Sequence, residues 1–103
     1  METYLIQYKI SSIDPQWDVR VGEMIAAVKD DPAFQGKVSY RALKKDDQLT
    51  YVHIGSFTDE AILGEFQARD YMQDFRNSLA ARLDGSIQVT ECRQLGSADL
   101  LPR

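Results

Sequence analysis

The chain predicts an α+β fold: a four-stranded antiparallel sheet and two helices in the order β-α-β-β-α-β. Three observations carry this. Stretches with strand-like patterning open and close the chain and form a pair in its middle. Two stretches between them carry apolar residues at helical spacing. Turn and cap residues punctuate the junctions, and 103 residues suit one domain.

Each element has a local cause. Tyr4, Ile6, Tyr8 and Ile10 alternate with Leu5, Gln7 and Lys9, which makes a period-two strand. SSIDP at 11–15 breaks it. Asp14 can accept from the free N–H groups of a first helical turn, and Pro15 sits where its missing N–H costs nothing. Trp17, Val21, Met24, Ile25 and Val28 then fall on one helical stripe. DDP at 30–32 ends the helix, because Pro32 disfavours helical backbone at Asp31. Gly36 marks a turn into a second strand over Val38 to Lys44, and KKDDQ reads as a polar hairpin loop. Leu49 to Phe57 is the third strand. Thr58 and Asp59 cap a long helix whose stripe is Ile62, Phe66, Met72, Phe75, Leu79 and Leu83, with Tyr71 beside it. Gly64 and the polar run Gln67 to Asp70 mark the place for a kink or short break, and Asp84-Gly85 closes the helix. Ile87 to Gln94 gives a weakly alternating fourth strand. A single domain over 1–94 is expected, followed by a C-terminal tail over 95–103 that carries three leucines.

Two right-handed crossovers place both helices on one face of the sheet, the ferredoxin-like arrangement. Two helices shelter one side only, yet both faces are apolar. Leu49, Tyr51 and Phe57 share one face of the third strand, while Val52 and Ile54 share the other. On the first strand, Leu5 opposes the Tyr4 set. A broad exposed apolar face usually marks an interface. The expected assembly is a homodimer with the two sheets packed face to face.

Composition narrows the function. Apolar residues at 44% and charged residues at 27% are ordinary globular usage, which argues against disorder. A net charge of −4 with scattered Lys and Arg argues against nucleic acid as a partner. No apolar run approaches the ~20 residues needed to cross a bilayer, so no membrane association is expected. Cys92 is the one cysteine, which suits a reducing compartment, and the N-terminus lacks signal-peptide patterning; a cytoplasmic location is expected. One His, one Cys and scattered carboxylates give no metal-ligand spacing, and no Gly-rich phosphate loop is present, so no metal and no cofactor are expected.

The stretch from Phe57 through TDEA, Phe66 and YMQDF resembles the antibiotic biosynthesis monooxygenase-like family of dimeric α/β barrels, to which a stress-responsive branch is related. In that family a third strand ends in an aromatic, usually Trp. An acidic helix start follows, with a His or aromatic about nine residues on. DPAFQGKVSYRAL resembles the family's turn into the second strand, and the likeness spans about residues 3 to 94. It implies a dimer with a pocket in each subunit between sheet and helices. Several members oxidise aromatic or quinol compounds with dioxygen and neither metal nor flavin; others degrade haem or cyclise polyketides. Here Phe57 holds the Trp place, with His53 four residues before it. Phe66 and Arg76 stand where haem-degrading members place a Trp and an iron-ligating His. A protonated guanidinium has no lone pair for iron.

Removing an acidic proton from a phenol or enol needs a base, and histidine suits that role near neutrality. His53, the lone histidine, is the catalytic candidate, as base or as orienting donor. Trp17, Tyr51, Phe57, Phe66, Tyr71 and Arg76 are the candidate pocket residues, and Asn77 and Gln7 are further donors. The leading expectation is a cofactor-independent monooxygenase-like protein acting on a small aromatic or enolic compound. The alternative is a non-catalytic stress-response or small-ligand-binding module of the same fold, which takes a small hydrophobic or aromatic ligand. A polyketide cyclase or lyase ranks third.

Overall fold

The computed structural model describes residues 1–102. Strand β1 (Glu2–Lys9) leads to helix α1 (Pro15–Asp30) and a 3-10 turn at Pro32–Phe34. Hairpin strands β2 (Val38–Lys44) and β3 (Thr50–Phe57) follow, then helices α2 (Glu60–Ala68) and α3 (Asp70–Ala80), and strand β4 (Gln88–Cys92). The sheet order is β2-β3-β1-β4 with every neighbour antiparallel. This is the α+β, ferredoxin-like arrangement that the pattern of elements predicts.

Local chemistry sets the ends. The Asp14 carboxylate accepts from the Gln16 N–H and caps α1, with Pro15 in its first turn. Asp59 accepts from the Ile62 N–H and caps α2. In the β2–β3 loop the Asp47 carboxylate accepts from the Leu49 and Thr50 N–H groups and the Thr50 hydroxyl. These bonds hold its pKa down at about 2 and fix the hairpin register.

The stripe from Ile62 to Leu83 is two helices rather than one. The chain turns extended at Arg69, with ψ at 138°. Gly64 stays inside α2, so the break falls in the polar run and not at the glycine. The second helix stops at Ala80, and Leu83 leaves it to bridge Ile10 beyond the end of β1.

Tyr8, Tyr51 and Phe57 on the sheet, with Ile10 just beyond β1, pack against Trp17, Val21, Met24 and Val28 of α1 and against Ile62, Phe66, Met72, Phe75 and Leu79 of α2 and α3. The Tyr4/Tyr8/His53 side of the sheet therefore meets the helices. The opposite side carries Leu5, Val52 and Ile54, half-buried, together with Leu43 and Arg41, which are exposed.

Candidate functional site

The β-strand registers place His53 in a particular neighbourhood. Directly across from it lie Ile6 on β1 and Ala42 on β2, neither of which can bond an imidazole. The polar neighbours are on the diagonals. Tyr8 sits opposite Tyr51 and Tyr40 opposite Gly55, one pleat on either side of His53. Long aromatic side chains span such diagonals. The Tyr8 oxygen lies 2.8 Å from Nε2 of His53, and the Tyr40 oxygen lies 2.8 Å from Nδ1. Trp17, fully buried at the start of α1, donates its indole N–H to the Tyr8 oxygen at 3.1 Å.

Gly55 makes room for this. A Cβ there would stand 3.2 Å from the Tyr40 ring and 3.1 Å from the Phe57 ring. Both rings lean over a bare stretch of backbone, the close approach a strand glycine permits.

Against this cluster lies a cavity of about 300 Å³. Tyr8, Tyr40 and His53 form its polar patch. Tyr4, Ile6, Phe57, Leu63, Phe66, Met72, Phe75 and Leu79 give it apolar walls. Exposed Gln67, Arg76, Ile87 and Val89 stand at its rim. A largely apolar concavity with a few converging polar groups is the usual form of a small-molecule site. The volume suits a compound of one or two rings.

Compared by sequence, the chain matches no protein-family profile and no curated protein. Compared by structure, it superposes on a crystal structure described as an antibiotic biosynthesis monooxygenase with a TM-score of 0.75. Identity there is 16%, over 93% of this chain and 100% of the other. This protein has the antibiotic biosynthesis monooxygenase fold. SnoaB, a cofactor-independent oxygenase from Streptomyces nogalater, is similar with a TM-score of 0.69 at 16% identity, over 90% of this chain and 93% of SnoaB. A Pseudomonas aeruginosa protein gives 0.76 at 13% identity, over 92% and 94%. At these identities the likeness is one of fold.

Within this fold the candidate residues separate into two groups. His53, Phe57, Phe66 and Arg76 all line the cavity. Trp17, Tyr51 and Tyr71 stand outside its wall, each for a physical reason. Trp17 stacks on Phe75 at 5.0 Å and reaches the cluster only through Tyr8. Tyr51 stacks behind Tyr8 at 5.4 Å, and its hydroxyl donates to Asp18. Tyr71 turns away to donate its hydroxyl to Asp31 at 2.8 Å. Arg69 and Arg76 are divided by the helix break: Arg69 pairs with Asp31, and Arg76 donates to the Gln67 carbonyl. Tyr8 and Tyr40 were not among the candidates. Their signal was parity, since the hairpin loop pins β2 against β3 and puts Tyr40 on the His53 face.

Burial decides the charge state. His53 is 1% exposed, and desolvation brings its pKa down to about 4, so the ring is neutral at pH 7. Desolvation pushes the Tyr8 and Tyr40 hydroxyls well above their ordinary pKa of 10. The cluster is a set of neutral donors and acceptors, and both imidazole nitrogens are engaged by tyrosines. Among the described residues, no group of three or more His, Cys, Asp or Glu is placed to hold a metal ion, and no helix is long and apolar enough to cross a membrane.

Proposed function

We propose that this chain forms a homodimer that binds a small aromatic or enolic compound in the His53 cavity and supports its oxygenation by dioxygen without a cofactor. The observation that carries the reading is a neutral histidine held between two tyrosine hydroxyls on the floor of an apolar cavity. Phe57, Phe66, Met72 and Phe75 supply surfaces for a flat ring and keep water from it. An acidic enol ionises as it binds by losing its proton to solvent, which leaves an electron-rich anion; that anion reacts with dioxygen, and the proton is taken up again in the water formed. The protein's part is to hold the anion by preorganised hydrogen bonds in a water-poor site. Arg76 at the rim adds favourable charge. In the net reaction a ring CH2 becomes C=O: four electrons pass to dioxygen, one oxygen atom stays on carbon and the other leaves as water. In this scheme His53 orients the tyrosines rather than acting as base, because a group with a pKa near 4 is a poor proton acceptor at neutral pH.

Oxygen uptake with a panel of hydroquinones and anthrones tests the reading. Turnover of one panel member is expected, with a fall of about 100-fold in Tyr40→Phe, the size of effect seen when one oxyanion donor is removed. Equal rates in the wild type, His53→Ala and Tyr40→Phe would sink it. A second reading, a non-catalytic small-ligand-binding module, is favoured by the low basicity of His53. It predicts saturable binding of a panel member with no oxygen consumed.

A further inference from the structure

The proton order of the buried cluster follows from counting donors. The Trp17 indole nitrogen can only donate, so the Tyr8 oxygen is an acceptor at that contact. Tyr8 has one proton of its own. Neutral His53 has one N–H and one lone pair, on different nitrogens. Two arrangements remain. In the first, Tyr8 donates to Nε2, and Nδ1–H donates to the Tyr40 oxygen. The proton without a protein acceptor is then that of Tyr40. In the second, Nε2–H donates to Tyr8 and Tyr40 donates to Nδ1. Tyr8 must then accept twice, and its own proton is left without a protein acceptor.

The two leftover protons are not equivalent. Tyr8 is 3% exposed, and its oxygen is already crowded by the indole and the imidazole. Tyr40 borders the same cavity but is half-buried, and its oxygen makes one side-chain hydrogen bond, to Nδ1. A buried polar proton without an acceptor is costly, so the first arrangement is the stable one. It is also a continuous chain in which each group donates to the next, and such chains polarise cooperatively.

We propose that the chain runs Trp17 to Tyr8 to His53 to Tyr40 in a single direction, and that its last proton, on the Tyr40 hydroxyl, is the donor that receives the ligand. The ligand class is thereby a flat apolar ring bearing an acceptor oxygen, a ketone or an enolate, in preference to a hydrocarbon of the same shape. Trp17 acts as a positioning residue, since its N–H fixes the direction without reaching the cavity. The ligand half of the proposal rests on the cavity being the binding site; the direction of the chain does not.

Two measurements test it. Long-range proton–nitrogen NMR correlation on the ligand-free wild-type protein reports which nitrogen of His53 bears the proton. The Nδ1–H tautomer is expected. Finding Nε2–H as the dominant form overturns the proposed direction. The second measurement is calorimetric binding of 1-indanone and its hydrocarbon isostere indane to the wild type and Tyr40→Phe. The ketone is expected to bind about tenfold more tightly than indane in the wild type, the worth of one net hydrogen bond, and the preference is expected to vanish in the variant. Equal binding of both compounds to the wild type overturns the donor role while leaving the cavity reading in place. Binding of neither, with an Nδ1–H histidine, overturns the cavity reading and the ligand class together and leaves the direction of the chain supported.

Discussion

At the scale of single residues, His53 gives the clearest pH signature. Burial lowers its pKa from 6.5 to about 4. Between those values the unfolded chain binds a proton that the folded chain refuses. The folded state is therefore favoured fully above pH 6.5, and its stability falls as the pH drops toward 4. The loss is about 3 kcal/mol over that window. The lowered carboxylates act elsewhere. Asp18 is held below its usual value by Lys44 and Tyr51, and Asp31 by Arg69 and Tyr71; their stabilisation is lost only as the pH falls below the ordinary value of 3.8. Urea denaturation at pH 7 and pH 4.5 reads the histidine window. His53→Gln is expected to have nearly the same stability at both pH values, whatever its absolute stability. A variant that keeps the wild-type slope would assign the pH dependence to other groups.

At the scale of elements, the decisive feature is the break between α2 and α3. Asp31, just past the end of α1, clasps it. One carboxylate oxygen accepts from the Ala33 N–H at 3.1 Å. The other accepts from Arg69 Nε and from the Tyr71 hydroxyl, each at 2.8 Å. The Arg69 guanidinium also lies 4.7 Å over the Phe34 ring. Arg69 is therefore drawn toward α1 and out of helical backbone, and the two helices bend so that Phe66 and Met72 both face the cavity. The Asp31 side chain is 12% exposed, so its bonds are poorly replaced by water. Asp31→Ala is expected to cost about 2 kcal/mol in chemical denaturation, because it leaves Arg69 and Tyr71 unpaired. Asp30→Ala, one exposed residue away, is expected to cost almost nothing. Equal costs would mean that the clasp contributes no stability. The polar run 67–70 was readable as a break. Its partner was not, since Asp31 lies 38 residues from Arg69.

At the scale of the whole molecule, the sheet face away from the helices carries Leu5, Val52 and Ile54 in its central strands. The C-terminal segment runs along the β2–β3 side of this face, next to Arg41 and Ile54, with Leu95 94% and Leu100 91% exposed. Apolar surface of this kind is stabilised by about 25 cal/mol per Å2 once covered. A second copy packed sheet to sheet is the proposed cover. Sedimentation equilibrium at micromolar concentration is expected to return twice the chain mass for the wild type. Ile54→Lys is expected to return the mass of one chain with unchanged far-ultraviolet circular dichroism, because Ile54 points away from the cavity and its wall. A wild-type protein that sediments at the mass of one chain contradicts the dimer.

Element types, their order and most of their ends are local properties. Alternation in β1 and β3, the Asp14-Pro15 start and the Asp59 cap depend on residues within a few positions of one another, so the amino-acid sequence alone determined them, and with them the parity that puts His53 on the same strand face as Tyr51 and Phe57; which of two apolar faces meets the helices was settled only by packing. The meeting of Trp17, Tyr8, His53 and Tyr40 was decided only by the tertiary structure. It needs two strand registers, the seating of α1 and the bare backbone at Gly55 all at once. Burial, which keeps the imidazole neutral, and contact, which gives each of its nitrogens a tyrosine, are properties of the packed chain and have no counterpart in residue spacing.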